Sequence, residues 1–307
     1  MNPTHRPDSK HGLLYGLAAY GLWGLIPLYF KSEAEVSPLE VLAHRALWSC
    51  AMLALLIGGL GRWAELRREL RNPRLLGMLA LTSLLIAVNW LTFIYAVITR
   101  QLLQASLGYF VNPLVSVLLG VAFLRERLRP RQMASLALAA IGVIVLATLV
   151  GQLPWISLTL AFSFALYGLL RKLMPVDGMV SLAVETSVLA PFAVAYLGYV
   201  AAQDQLTGHT PSALGLLMLS GPVTTVPLLF FGAAARRLRL STLGILQYVT
   251  PTGQFLLAVL AFGESFSTPQ ILSFAFIWTA VAIYTLDSYQ AARRVRAGRF
   301  EPPEPDG

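Results

Sequence analysis

The chain has 307 residues, 56% of them hydrophobic and only 12% charged, against about 25% charged in a soluble domain, so most of it is not built to face water. Its net charge of +8 would suggest nucleic acid in a soluble protein. Here the basic residues lie in short clusters between apolar runs, which reads as membrane topology and excludes nucleic acid as a partner. Cys50 is the single cysteine, which excludes an intramolecular disulfide and a cysteine-based metal cluster; no cofactor or metal is expected.

Several apolar runs reach the ~18 residues needed to cross a hydrocarbon core of about 30 Å. The polar stretch Met1 to His11 leads into the first of them. That run ends in Pro27-Leu28-Tyr29-Phe30-Lys31 without a small-residue cleavage site, so it reads as a retained helix. In chain order the predicted transmembrane helices are 13–30, 40–60, 74–98, 102–124, 132–150, 154–171, 178–200, 212–234, 241–263 and 269–288. The loop 61–73 is expected to hold a short surface helix, with Trp63, Leu66 and Leu70 on one face between arginines. The tail from Arg293 is basic and then Pro/Glu-rich, the composition of a disordered segment.

Lysine and arginine set the orientation. With the N-terminus in the cytoplasm and the chain alternating, all basic residues except Lys31, Arg45 and Arg100 fall on the cytoplasmic side. An odd number of helices would put the last cluster, Arg293 to Arg299, on the wrong side. The reading is therefore an all-α membrane protein of ten helices with both termini cytoplasmic.

The two halves resemble each other. One spacing relates Pro113 to Pro251, Glu126 to Glu264 and Gln132 to Gln270. Another relates Leu22-Trp23-Gly24 to Leu166-Tyr167-Gly168. Five helices per half make the second half enter the membrane inverted, and inverted repeats are a mark of secondary transporters. The expected organisation is a cytoplasmic tail 1–12, a first five-helix repeat 13–150, a second repeat 154–288 and a disordered cytoplasmic tail 289–307.

The motifs Leu17-Ala-Ala-Tyr-Gly-Leu-Trp-Gly24, His44-Arg-Ala-Leu-Trp-Ser49, Asn89-Trp-Leu-Thr-Phe93 and Ala105-Ser-Leu-Gly-Tyr-Phe-Val-Asn-Pro113 carry a resemblance that continues in the second half. There it runs through Leu160-Ala-Phe-Ser-Phe-Ala-Leu-Tyr-Gly168, Arg237-Leu-Arg-Leu-Ser-Thr-Leu-Gly244 and Phe274-Ala-Phe-Ile-Trp278. Over about residues 13–290 the chain resembles the RarD-type (chloramphenicol-sensitivity) branch of the EamA family, in the drug/metabolite transporter superfamily. One departure is Arg125 before Glu126, where the family pattern usually has glycine; Gly263-Glu264 keeps it. The resemblance implies a ten-helix permease of the bacterial inner membrane. Its implied activity is export of amino-acid-like metabolites or of amphipathic drugs such as chloramphenicol.

Polar groups in hydrocarbon are expensive, and each needs a reason. Arg45 lies about 8 Å inside the outer end of its helix, from a rise of ~1.5 Å per residue. It reads as a cavity-facing cation for a carboxylate, with snorkelling to the headgroups as the competing reading. His44 stands beside it, with a structural hydrogen bond as the equal alternative. Glu185 is the acid placed well inside a helix, nominated for proton coupling or for a substrate amine against a structural ion pair; no direct pair with Arg45 is expected. Asn112-Pro113 and Thr250-Pro251 are expected to interrupt their helices at matching positions and to free the carbonyls of Tyr109 and Gln247. Pro222 and Pro227 flank Thr224 and Thr225 in a further flexible segment. Tyr20, Trp23, Asn89, Trp90, Tyr109, Asn112, Tyr167, Thr224, Gln247 and Tyr248 complete the expected substrate-binding wall, although each aromatic alone is more often packing. Glu126 and Glu264 are expected to be solvated or locally paired. Gly12 and Gly16 give a GxxxG spacing, a weak homodimer signal.

No HExxH, phosphate loop or paired acidic motif is present, so an enzyme is not expected. The expected function is secondary transport of a small molecule by alternating access around a central cavity between the halves. The alternative is a non-transporting membrane receptor or scaffold.

Overall fold

The computed structural model describes residues 10–33, 35–124, 128–174, 176–206, 210–235, 237–238, 242 and 246–297, which form helices joined by turns and loops, with no strand among them. The helices are α1 (Lys10–Ser32), α2 (Pro38–Gly59), α3 (Trp63–Leu70), α4 (Pro73–Ile98), α5 (Leu102–Leu124) and α6 (Pro130–Val150). They continue with α7 (Trp155–Leu173), α8 (Gly178–Ala202), α9 (Pro211–Ala235), α10 (Val249–Leu256) with a π-helical turn (Leu257–Ala261), and α11 (Thr268–Ala297). Eight of them are long and apolar enough to cross a membrane, and Trp155–Arg171 and Val249–Ala261 are shorter apolar helices.

Local chemistry places the helix starts. Proline opens α2, α4, α6 and α9, at a position where its missing N–H is not needed. Ser37 accepts from the Glu40 amide, Asn72 from the Leu75 amide at 3.2 Å, and Asp177 from the Met179 amide at 3.0 Å. Each of these side chains satisfies an amide that the helix start leaves without a partner. Gly151, at φ +73°, closes α6 in the left-handed conformation open to glycine. The surface helix expected in 61–73 is α3; it buries Leu66 and leaves Trp63 and Leu70 exposed.

Two differences from expectation have physical causes. Helix α11 runs to Ala297, beyond the expected end at 288, so the first part of the segment read as disordered continues the helix; residues 298–307 lie outside the described residues. Pro251 stands just after an interruption: among the described residues the chain is helical at Leu246, turns at Gln247 and Tyr248 and is helical again from Val249. The proline itself sits in the first turn of α10, where it costs no hydrogen bond. The Gln247 carbonyl that it was expected to free accepts from the Thr250 amide at 3.3 Å, and Gln247 and Tyr248 lie in the turn before the helix. Pro113, expected to interrupt its helix, instead lies inside α5, which runs unbroken from Leu102 to Leu124, and Pro227 lies inside α9; a proline removes one backbone hydrogen bond and need not end a helix held by its neighbours.

Helix pairs form the body. α1 packs on α9 and α10, α2 on α8 and α9, α4 on α7 and α8, α5 on α7 and α10, and α6 on α11. Two glycines allow the closest approaches. A Cβ on Gly108 would stand 2.6 Å from the Ser157 carbonyl oxygen of α7, and one on Gly221 2.6 Å from the Trp48 carbonyl oxygen of α2. The Gly12 and Gly16 face is occupied within the chain by Leu238 and Leu246.

Candidate functional site

Arg45 is 6% exposed and sits where four helices meet. Its Nε donates to Thr224 Oγ1 of α9 at 3.0 Å. Its guanidinium carbon lies 4.1 Å from the Trp90 ring centroid of α4 and 5.3 Å from that of Phe30 of α1. Aromatic faces attract a cation through the ring quadrupole, more strongly where water is excluded. Among the described residues, no carboxylate lies within ion-pair distance of Arg45. Three residues nominated from sequence, Arg45, Trp90 and Thr224, are therefore brought together. His44 is not: it points away and accepts from Trp48 Nε1 on its own helix at 3.3 Å, because consecutive helical residues differ by about 100° in direction.

Glu185 is fully buried at a second centre, between α4, α7 and α8. Its Oε1 accepts from Thr82 at 2.7 Å and from Ser181 at 3.3 Å, and its Oε2 from Tyr167 at 3.1 Å. Arg171 Nη1 stands 4.0 Å away. Both carboxyl oxygens thus have hydroxyl partners within the protein. Arg45 and Glu185 have separate partners, as the expectation of no direct pair requires.

The nominated amides serve as tethers. Asn89 donates to the Leu160 carbonyl at 3.2 Å and to Ser163 Oγ at 3.0 Å, and accepts from Tyr109 at 3.2 Å. Asn112 donates to the Ala161 carbonyl at 3.1 Å. These bonds lock α4 and α5 to α7. Tyr20 and Trp23 pack with Phe231 of α9, Thr250 donates to the Tyr20 carbonyl at 2.9 Å, and Tyr248 stacks on Phe110.

Sequence reasoning missed Glu33. It follows α1, is 2% exposed, and its Oε1 lies 2.8 Å from the Tyr29 hydroxyl. The available signal was the i, i+4 spacing of Tyr29 and Glu33, which puts both on one helix face. Glu264 was expected to be solvated or locally paired. Its Oε1 and Oε2 instead accept from the Leu102 and Leu103 amides at 2.7 and 2.9 Å, so it caps α5 from the other half of the chain. A cleft of about 290 Å³ opens beside it, lined in part by Arg100, Gln101 and Gln270 and not by Arg45. Glu126 lies outside the described residues.

The model of the EamA-like transporter family matches residues 10–148. The chain is 47% identical to Protein RarD of Streptomyces exfoliatus, over 94% of this chain and 93% of that one. It is 46% identical to Protein RarD of Escherichia coli strain K12, over 94% and 98%. To the chloramphenicol-sensitive protein RarD of Pseudomonas aeruginosa it is 35% identical, over 93% and 97%. A protein crystal structure superposes with a TM-score of 0.59 over 90% of this chain and 97% of its own, at 20% identity, which is a likeness of fold. With relatives this similar over nearly its whole length, the chain belongs to the EamA-like transporter family, in its RarD branch, and is a multi-pass transporter of the bacterial inner membrane.

Proposed function

We propose that the protein exports small carboxylate-bearing metabolites, amino-acid-like compounds among them, by alternating access, with Arg45 as the anion-binding group. The observation that carries this reading is the Arg45 environment: a buried cation, held by Thr224 and two aromatic faces, without a carboxylate in ion-pair distance. A buried charge without a carboxylate at ion-pair distance, as Arg45 is among the described residues, is costly, and a substrate carboxylate would supply that close partner. Amphipathic drugs that lack a carboxylate, such as chloramphenicol, would use the aromatic faces of the same region.

The architecture in this proposal has ten spans, the two shorter apolar helices α7 and α10 included. Repeats 13–150 and 154–288 are related by inversion. The helix pairing supports the inversion. The packing of α1 on α9 is matched by α7 on α4, and that of α1 on α10 by α7 on α5, while α2 with α8 and α6 with α11 pair across the halves. The end that carries Arg62, Arg67, Arg68, Arg71, Arg129 and Arg131 faces the cytoplasm by the positive-inside rule. Glu185, with its three hydroxyl partners and Arg171, is the anchor of the α4–α7–α8 side in this reading.

The test is flux in proteoliposomes. Wild-type protein should carry carboxylate substrates, and Arg45→Gln should lose that flux while remaining folded. Equal flux in both would end the anion-site reading. Loss of flux pH dependence in Glu185→Gln would restore that residue as the coupling group.

A further inference from the structure

The Tyr29 hydroxyl lies 2.8 Å from Glu33 Oε1 and 2.9 Å from the Leu216 carbonyl oxygen of α9. A phenol has one hydrogen to donate, so it cannot serve two acceptors fully. Ser220, which also faces Tyr29, has its own acceptor in the Leu217 carbonyl at 2.5 Å. The second carboxyl oxygen, Glu33 Oε2, is buried and has no hydrogen-bond partner among the described residues. As an anion, Glu33 would have one shared donor for two buried oxygens. As a neutral acid it donates to the Tyr29 oxygen, Tyr29 donates to Leu216, and every close contact has its hydrogen.

We propose that Glu33 is a proton-binding site linked to Arg45: the carboxyl takes a proton from bulk water when an anionic group occupies Arg45, and proton and anion cross together. The titratable or charged side chains that face Glu33 are Tyr29 from α1 and Arg45 from α2. Tyr109 of α5 faces Arg45 in turn, and α9 contributes the Leu216 carbonyl and the Ser220 hydroxyl. Arg45 favours the Glu33 anion. A substrate carboxylate on Arg45 cancels that field and favours the proton, and linkage makes the effect reciprocal. Joint movement of one proton and one singly charged anion leaves this step electroneutral, so for such a substrate the direction follows the product of the proton and anion gradients and not the membrane potential. Burial pushes the Glu33 carboxyl up to about 7, against the lowering effects of the Tyr29 hydrogen bond and of Arg45, which puts its titration near cellular pH.

The second half of the proposal rests on the anion site at Arg45; the first does not. The experiment is an infrared pH titration of the full chain in lipid, following the carbonyl band of a protonated carboxyl. The expected result is a band that titrates with a midpoint near 7, is absent in Glu33→Gln, and moves up by about one unit or more in Arg45→Gln, because the neighbouring cation is gone. Arg45→Lys, which keeps the charge, should hold the midpoint near that of the wild type. Glu33→Gln is close to isosteric and preserves the contacts of a neutral acid, so it should fold. A band unchanged in Glu33→Gln, or a Glu33 midpoint in the ordinary carboxylate range, overturns the proton site. Benzoate added at fixed pH should raise the midpoint in wild type and not in Arg45→Gln. A titration that behaves as expected but ignores benzoate overturns the coupling through Arg45 and leaves the proton site standing.

Discussion

The Arg45 guanidinium lies 4.1 Å from the centre of the Trp90 ring, joining α2 to α4 at the one cation buried among aromatic faces in the described membrane core. The two residues are far apart in sequence, and neither alone defines a site. Together they fix the direction of a buried charge, which the proposed function assigns to a substrate carboxylate.

Replacing Trp90 should therefore weaken carboxylate binding without removing the charge. A desolvated cation–π contact contributes about 2 kcal/mol, equivalent to roughly thirty-fold in affinity. Titration calorimetry with a bound carboxylate should show a drop approaching that size in Trp90→Leu and a smaller one in Trp90→Phe. Unchanged affinity in Trp90→Leu would mean that Thr224 alone positions Arg45.

The close approach of α5 and α7 at Gly108 predicts a steric effect. A methyl group there would meet the Ser157 carbonyl oxygen at 2.6 Å, and overpacking of this kind costs about 1–3 kcal/mol. Gly108→Ala should lower the melting temperature in detergent. Gly168→Ala is the control: nothing lies within 4 Å of its added methyl, and alanine is the better helix former by about 1 kcal/mol. It should be neutral or stabilising.

Glu264 ties the second half of the chain to the start of α5. Removing a helix-capping acceptor costs about 1–2 kcal/mol, and here two amides lose theirs. Glu264→Ala should lower the unfolding free energy by an amount in that range, with Glu264→Gln, which keeps one acceptor oxygen, in between. Slower amide hydrogen exchange at Leu102 and Leu103 in wild type than in Glu264→Ala would tie the loss to the cap.

Asp177 gives a pH prediction. Partial burial pushes its carboxyl up, but hydrogen bonds from Arg62 and from the Met179 and Val180 amides outweigh this and hold it below its ordinary value of 3.8. A carboxyl depressed in the folded state contributes stability above its unfolded value and loses it as pH falls through the folded one. Asp177→Asn should thus be less stable than wild type at neutral pH, and thermal unfolding below pH 3.8 should show the gap closing. A gap that is constant with pH would assign the effect to the cap geometry alone.

Much of this fold is legible in the chain because a membrane span has a fixed length. The expected starts at 40, 74 and 132 differ from Pro38, Pro73 and Pro130 by one or two residues, and those prolines mark the true first turns. What the chain does not display is pairing at a distance. Arg45 and Thr224 were both nominated, but their contact joins different halves. Pro113 and Pro251 looked like partners, yet the chain turns at Gln247 and Tyr248 just before Pro251 while α5 runs unbroken through Pro113. Glu33 escaped notice because it falls just past the end of an apolar run. Its burial is set by the tertiary packing, which no local pattern records.

The most direct test of the Arg45 site is a thermal-shift screen of purified wild type and Arg45→Gln, side by side, against amino acids, small organic acids, nucleosides and chloramphenicol. A compound that binds the native state raises its melting temperature with concentration. The account predicts that at least one carboxylate-bearing compound stabilises the wild type and leaves Arg45→Gln unmoved. Stabilisation by uncharged compounds alone, or an equal shift in both proteins, would contradict it.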